Sequence, residues 1–207
     1  MPGPGRQGRG RGLIRTTVTT LYLAGTPDAD ALLARDPFAL LTGMLLDQQV
    51  PMEKAFSGPA VIAERMGADH LDPAAIAAHD PEAFAEIFSR TPAVHRFPGS
   101  MAGRVQKVAA YVAEHYGNDA TNIWADAATG KELLKRLKAL PGFGEQKAKI
   151  MVALLGKQIG VRPDGWREAA GDYGAEGATR SVADVVDAET LLQVRATKRE
   201  IKRAAKA

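Results

Sequence analysis

Apolar residues recur at helical spacing over most of the chain. One clear example is the set Val105, Val108, Ala109, Val112 and Tyr116, which shares one face of a helix. Gly117 follows this set and is a typical C-terminal helix signal. The pattern predicts a helix that ends at Gly117.

Other helix starts are indicated by a capping residue followed by proline at the first helical position. The four pairs of this kind are Thr26-Pro27, Asp36-Pro37, Asp72-Pro73 and Asp80-Pro81. Pro51 is expected to open a further helix that ends near Gly67. Only the segment from Thr16 to Leu23 favours a short strand. The chain is therefore predicted to be an all-α domain.

A tight turn, Pro141 to Gly144, separates two amphipathic segments. Their apolar positions are Leu133, Leu134, Leu137 and Leu140 before the turn, and Ile150, Met151, Leu154 and Leu155 after it. Pro141 fixes φ, whereas Gly142 and Gly144 can take positive φ or let a ligand approach the backbone. The turn can thus present N–H groups beside the positive end of a helix, which suits a phosphate. This is a helix-hairpin-helix pattern.

The last part of the chain is less regular. Residues 160–180 contain Gly, Pro, Asp and Arg with little periodicity, which predicts an exposed loop of about twenty residues. Ser181 to Val194 returns to a helical pattern, and Arg195 to Ala207 is a basic helix or fraying tail.

Composition narrows the classes of protein that the chain could be. With 207 residues, of which 45% are hydrophobic, it can bury a substantial core as one large domain or two small lobes. It has no cysteine, which excludes disulfides, thiolate metal sites and cysteine nucleophiles, and its four histidines are scattered. No apolar run is long enough for a membrane helix, and the N-terminus lacks the apolar segment of a signal peptide, so a cytoplasmic location is expected.

The net charge of +3 says little, but its distribution is informative because basic residues concentrate at both ends. Residues 1–15 carry four arginines among glycines, which predicts a flexible basic arm. Such an arm can lie along a polyanion or be only a solvated tail.

The segment Leu140-Pro141-Gly142-Phe143-Gly144, with Lys147 and Ala148, resembles the hairpin of the HhH-GPD base-excision DNA glycosylases, the relatives of endonuclease III and 3-methyladenine glycosylase. After the hairpin that family has a Gly/Pro-rich loop and an aspartate; here Gly160, Pro163 and Asp164 stand at the family's spacing. Upstream, residues 36–41 and the turn 47–50 resemble the first barrel helix and the glutamine-bearing turn that enters DNA. The resemblance covers about residues 36–166.

The resemblance implies an all-α, two-lobed fold beyond the arm, over residues 16–207. A six-helix barrel lobe would span about residues 36–156, with the helix-hairpin-helix at about 131–156. The second lobe would combine residues 16–35 with 160–207. The missing cysteines exclude the iron–sulfur cluster of some relatives, so no cofactor is expected, although a monovalent cation at the hairpin is compatible with the motif. The implied partner is double-stranded DNA with a modified base, bound by a monomer associated with the nucleoid.

The resemblance also assigns a catalytic carboxylate. Breaking an N-glycosidic bond passes through a cation-like sugar, so a carboxylate is needed to stabilise that charge or to activate water. Asp164 is the candidate, although Pro163-Asp164-Gly165 is also an ordinary turn sequence. The family's aspartate usually follows apolar residues, which Asp164 does not, and Asp172 is a second candidate.

The hairpin residues expected to contact the DNA backbone are Gly142, Phe143, Gly144, Gln146 and Lys147. Bifunctional members of the family place a lysine nucleophile at the seventh motif position, which is Gln146 here. Lys147 lies about 100° further around the helix, which aims it at a phosphate. The resemblance therefore predicts base release without strand cleavage.

Three further residues have two readings each. Gln48 and Gln49 could fill the gap left by an extruded base, or be exposed polar residues at a helix end. Trp166 could stack on the extruded base or anchor the core.

Two functions follow from these patterns. The first is a base-excision DNA glycosylase. The alternative is a non-catalytic helix-hairpin-helix DNA-binding protein whose Asp164 only caps a turn. A glycosylase needs its carboxylate in a concave pocket near the hairpin, whereas a binding module can leave it on a convex surface.

Overall fold

The computed structural model describes residues 20–205. Within that range the chain forms ten α-helices and no β-strand, which confirms the all-α class. The basic arm of residues 1–15 and most of the predicted strand lie outside the described residues. Its last residues, 20–23, are not a strand, although Leu21 and Leu23 are buried.

The α-helices are α1 (Pro27–Arg35), α2 (Pro37–Leu46), α3 (Met52–Met66), α4 (Pro73–Ala78), α5 (Pro81–Ser89), α6 (Pro98–His115), α7 (Gly130–Ala139), α8 (Glu145–Leu154), α9 (Trp166–Ala170) and α10 (Ala188–Ala204). Short 3-10 turns occupy Ala120–Ile123, Gly171–Tyr173 and Val182–Asp184. A π-helical turn, Leu155–Ile159, continues α8.

The four helix starts predicted from a capping residue followed by proline are confirmed, as are the bounds of the helix predicted between Pro51 and Gly67. The carboxylate of Asp36 accepts hydrogen bonds from the amides of Phe38 and Ala39, at 2.9 and 3.0 Å, and so satisfies the first turn of α2. α3 begins directly after Pro51 and ends at Gly67, whose φ of 67° is the left-handed conformation of a helix C-terminus.

Helix α2 is the centre of the core, because nearly all of its residues are buried. Gly43 allows α3 to approach α2 closely, since a Cβ at this position would lie only 2.6 Å from the ring of Phe56. The buried apolar residues of the described chain form one continuous cluster, from Leu21 to Val194. The division into a barrel lobe and a second lobe stays a prediction.

The predicted loop at residues 160–180 is partly wrong, because it contains α9 and a 3-10 turn. Trp166 anchors this segment: its ring packs so closely on Gly156 that a Cβ there would lie 2.3 Å from Cε3 of the ring. The predicted helix start at Ser181 is also wrong. Ser181 caps only a 3-10 turn, and α10 begins at Ala188 with Asp187 as its cap.

Helix α10 differs from the others in its weak attachment to the core. Val194 is its only buried residue. Arg195 pairs with Glu53 at the start of α3, and the hydroxyl of Thr197 bonds that of Thr179. Among the helices of residues 20–205, none combines the length and apolarity that crossing a bilayer requires.

Candidate functional site

The second helix of the predicted hairpin, α8, and the glutamine-bearing turn meet at one cavity of about 580 Å³. Five parts of the chain line it: the α2–α3 turn, the first turns of α8, the 3-10 turn at Tyr173, Arg180 and the C-terminal end of α10. We call it the α2–α8 cavity. Its lining residues are Asp47, Gln48, Gln49, Gln146, Lys147, Ile150, Tyr173, Arg180, Lys198, Ile201, Lys202 and Ala205.

The glutamine turn is held rigidly at Gln48 and is open at Gln49. The side-chain amide of Gln48 donates to the carbonyl of Leu45 at 3.0 Å, and its oxygen accepts from Arg104 at 3.4 Å. Gln49 is exposed and has a φ of 57°, which is uncommon for a residue with a side chain. The structure thus places both glutamines at the cavity but leaves Gln49 as the one with an exposed side chain.

His95 supports the same turn from the core side and is almost fully buried. Its Nε2 lies 3.0 Å from the carbonyl oxygen of Gln48, while its Nδ1 accepts from the amide of Phe97 at 3.1 Å. This pair of bonds requires the neutral ring with the proton on Nε2. Burial lowers the pKa of His95, which favours the same neutral form.

Lys147 points inward. Its Nζ donates to the carbonyls of Met44 and Leu45, at 2.7 and 2.8 Å, and so caps the C-terminal end of α2. Burial lowers the pKa of Lys147 to about 8, against the opposing attraction of Asp47. Its ammonium group therefore binds the end of α2. The sequence pattern instead predicts that this group contacts a DNA phosphate.

Asp47, which follows α2 directly, is the carboxylate of the cavity. Burial raises its pKa, and the nearby ammonium groups of Lys198 and Lys147 oppose that shift. The sequence pattern placed Asp47 only as the residue before the two glutamines. A carboxylate directly after a helix that is apolar except for Thr42 was the signal that could have identified it.

The hairpin itself has the expected backbone geometry. Gly142 has a φ of 82°, and a Cβ there would lie 3.0 Å from Leu45, so the hairpin packs on the end of α2. Phe143 is buried, and its amide bonds the carbonyl of Leu140 at 3.0 Å. The amides that have no acceptor within α8 are those of its first turn, which starts at the exposed Gly144.

Two side chains of the first turn of α8 are already engaged. The amide nitrogen of Gln146 donates to the hydroxyl of Tyr173 at 2.9 Å, and both residues line the cavity. Glu145 is exposed, and its carboxylate lies 2.8 Å from the ammonium of Lys138 and 3.0 Å from that of Lys149. These lysines lower the pKa of Glu145 to about 2, so it stays charged in neutral solution.

Asp164 does not line this cavity. It is exposed, and its carbonyl accepts from the amide of Gly130 at 2.8 Å, at the start of α7. The hairpin follows the other end of α7, and ten helical residues place these ends about 15 Å apart. The catalytic role of Asp164 therefore stays a prediction, since this residue is not among those that line the α2–α8 cavity.

The remaining predicted residues divide between core and cavity edge. Trp166 is buried, with the guanidinium of Arg167 4.5 Å from its ring centre, which is the position of a core anchor and not of a base-stacking residue. Asp172 is exposed and pairs at 3.1 Å with Arg180, which lines the cavity. Within residues 20–205, no group of three or more His, Asp or Glu side chains is arranged to hold a metal ion.

No protein-family model matches the chain, and no match was found among curated proteins or among solved structures. The evidence for its fold class and for the cavity therefore comes from this chain alone.

Proposed function

We propose that the protein is a base-excision DNA glycosylase of the two-lobed HhH-GPD type, which hydrolyses the N-glycosidic bond of a damaged or mispaired base. One observation carries the proposal. The glutamine turn, the start of the hairpin helix and a basic helix face one cavity, and that cavity contains a partly buried carboxylate, Asp47, whose pKa is raised. A DNA-binding motif beside a concave pocket with a perturbed acid is the arrangement that base excision needs.

In this proposal the hairpin binds the DNA backbone without reading sequence. Its donors are main-chain amides in the first turn of α8, and the helix dipole adds to their attraction for a phosphate. Gly142 keeps the turn tight enough to bring these amides to the surface. Contacts of this kind position a protein on DNA but do not discriminate bases.

The cavity suits an extruded base in size and in lining. Its volume lies within the range of about 300–1,000 Å³ that is typical of small-ligand pockets. Tyr173, Ile150 and Ile201 offer flat or apolar surfaces against which a base can pack. Gln146, held by Tyr173, offers a fixed amide for the edge of the base.

Asp47 is the residue to which we assign the chemistry. A carboxylate that is partly shielded from water interacts more strongly with a developing positive charge on the sugar than an exposed one does, because water screens it less. Its raised pKa also suits a group that takes a proton from attacking water. The catalytic role that the family resemblance implies for Asp164 stays a prediction.

Gln49 is the candidate to occupy the gap that the extruded base leaves in the duplex. Its side chain is exposed at the mouth of the cavity, whereas Gln48 is bonded to Leu45 and Arg104. Filling the gap offsets the unstacking cost of a few kcal/mol.

We further propose that the strand stays intact. An amide cannot form a Schiff base, so Gln146 cannot act as the lysine nucleophile of bifunctional enzymes. The amine of Lys147 is bonded to two carbonyls of α2.

The experiment that tests these assignments uses duplex oligonucleotides that each carry one modified or mispaired base. We expect the parent protein to release at least one base. Asp47→Asn should bind that duplex normally and release the base at least about 10²-fold more slowly, because the carboxylate charge is lost. Asp164→Asn is the matched control and should act like the parent; the reverse result would return the role to Asp164.

Borohydride trapping on the same substrate tests the prediction that the protein does not cleave the DNA strand. We expect no covalent protein–DNA adduct. An adduct that disappears in Lys147→Ala would show that this lysine reaches the sugar and that the protein cleaves the strand.

One observation favours the second candidate function, a non-catalytic DNA-binding protein. Asp164, the carboxylate that the resemblance assigns to catalysis, is exposed at the far end of α7. If duplex binding is normal and no modified base is released by the parent protein, this second function is the correct one.

A further inference from the structure

One face of α10 is turned toward the α2–α8 cavity. Lys198, Ile201, Lys202 and Ala205 all line it, and their spacing of three or four residues places them on the same side of the helix. The two lysines are one turn apart. α10 thus presents a pair of ammonium groups along the wall of the cavity.

Among the cationic residues that line the cavity, these two lysines are the ones without a hydrogen-bonded or ion-paired partner in the described part of the chain. Lys147 caps α2, and Arg180 pairs with Asp172. Within residues 20–205, neither Lys198 nor Lys202 lies within 4.0 Å of a carboxylate oxygen. Arg195, one turn before Lys198, is instead neutralised by Glu53.

The surroundings of the pair favour an anion. Asp47 is the only carboxylate among the residues that line the cavity, and Lys198 attracts it without pairing with it. A second negative group at the cavity mouth would compensate the lysine charges that Asp47 leaves unbalanced. Lysine binds a phosphate as a point charge, without the two-point geometry that arginine imposes.

We propose that Lys198 and Lys202 bind the phosphates that flank the extruded nucleotide, so that α10 and the hairpin hold the DNA strand from opposite sides of the cavity. This inference rests on the proposed glycosylase function. The hairpin amides hold one part of the backbone, and the α10 lysines hold the part nearest the flipped sugar. The ligand is a phosphodiester within a strand, not a free phosphate.

The test compares two pairs of substitutions on the same helix. Lys198→Gln with Lys202→Gln removes the cavity-facing charges. Arg199→Gln with Arg203→Gln removes two charges about 100° further around the helix, at positions that do not line the cavity. All four side chains are exposed, so both variants should unfold at the temperature of the parent.

Binding is measured by fluorescence anisotropy on a duplex with one tetrahydrofuran abasic-site analogue and on the same duplex without it, at several salt concentrations. We expect the parent to prefer the tetrahydrofuran duplex. The lysine variant should lose that preference, and its log–log salt slope should be smaller by about 1.8, as two lost phosphate contacts require. The arginine variant should keep the preference.

The outcomes separate this inference from the function on which it rests. A parent that binds neither duplex overturns both. A parent that prefers the tetrahydrofuran duplex, with equal losses in the two variants, overturns only the role of the α10 lysines. If inorganic phosphate or a deoxynucleoside monophosphate at millimolar concentration displaces the duplex from the parent but not from the lysine variant, the lysines bind a free phosphate and the strand contact is wrong.

Discussion

The catalytic role that we propose for Asp47 is associated with a cost in folding stability. Burial raises its pKa above the ordinary value of 3.8, so the folded protein holds this proton more tightly than the unfolded chain does. The stability that this group contributes therefore falls as pH rises from 3.8 through the folded-state pKa. At neutral pH the charged carboxylate opposes folding.

Asp47→Asn should accordingly unfold at a higher temperature than the parent at pH 7, because the amide removes a desolvated charge. Near pH 3, where the carboxyl is protonated in both states, the gain should vanish. Thermal unfolding at the two pH values checks this, with the exposed Asp164→Asn as control. A lower unfolding temperature for Asp47→Asn at pH 7 would mean that the attraction of Lys147 and Lys198 outweighs the burial.

Residue roles were predictable from the sequence only where they depend on neighbours in the chain. The positive φ of Gly142 and the cap at Asp36 follow from local patterns and agree with the structure. The electrostatic environment of Asp47 does not, because the charges of Lys147 and Lys198, which lie one hundred or more positions away in the sequence, act on it only in the folded chain. Trp166 shows the converse, since its packing on Gly156 removes it from the surface that its loop position had suggested.

At the scale of elements, an acidic residue of the hairpin offsets the charge of two neighbouring lysines. Glu145 opens α8, next to the amides that we assign to phosphate, and it holds Lys138 and Lys149 by ion pairs. Its pKa of about 2 keeps it ionised, so it reduces the positive potential at the hairpin at every physiological pH.

We expect Glu145→Gln to bind duplex DNA more tightly than the parent, because it removes one negative charge and releases two lysines for the backbone. The salt dependence of binding should become steeper as the lysines contact phosphates. Anisotropy titrations at several salt concentrations measure both effects. Glu189→Gln, at the start of α10 and outside the cavity, is the control, and an equal gain in that variant would contradict a local role for Glu145.

Elements were predictable where a cap and an apolar face agree. α2, with its cap at Asp36, meets that condition, whereas α3 and α8 have no side-chain cap and were predicted from Pro51 and from the hairpin glycines. The start of α10 was not predictable in this way, because Ser181 and Asp187 are both good capping residues and the sequence pattern does not choose between them. In the structure Ser181 caps the 3-10 turn, whose Asp184 pairs with Lys157, and Asp187 caps the helix.

At the scale of the whole molecule, the cavity depends on an element that the core barely holds. α10 supplies one wall, yet it buries only Val194. Its tie to α3 is the pair Arg195–Glu53, with side-chain exposures of 45% and 30%. Pairs with this degree of exposure contribute roughly 0–1 kcal/mol to folding. The geometry of the cavity can therefore change with little effect on global stability.

Arg195→Gln should separate these two properties. We expect its unfolding free energy to change by less than about 1 kcal/mol, while amides of α10 exchange hydrogen faster and those of the buried α2 stay protected. Bound duplex should restore protection to α10 in the variant, because the phosphates replace the lost tie with contacts to Lys198 and Lys202. Arg199→Gln leaves the Glu53 pair intact and is the control. If hydrogen exchange in α10 is the same in Arg195→Gln as in the parent, the helix is held by its apolar contacts and the cavity wall is fixed.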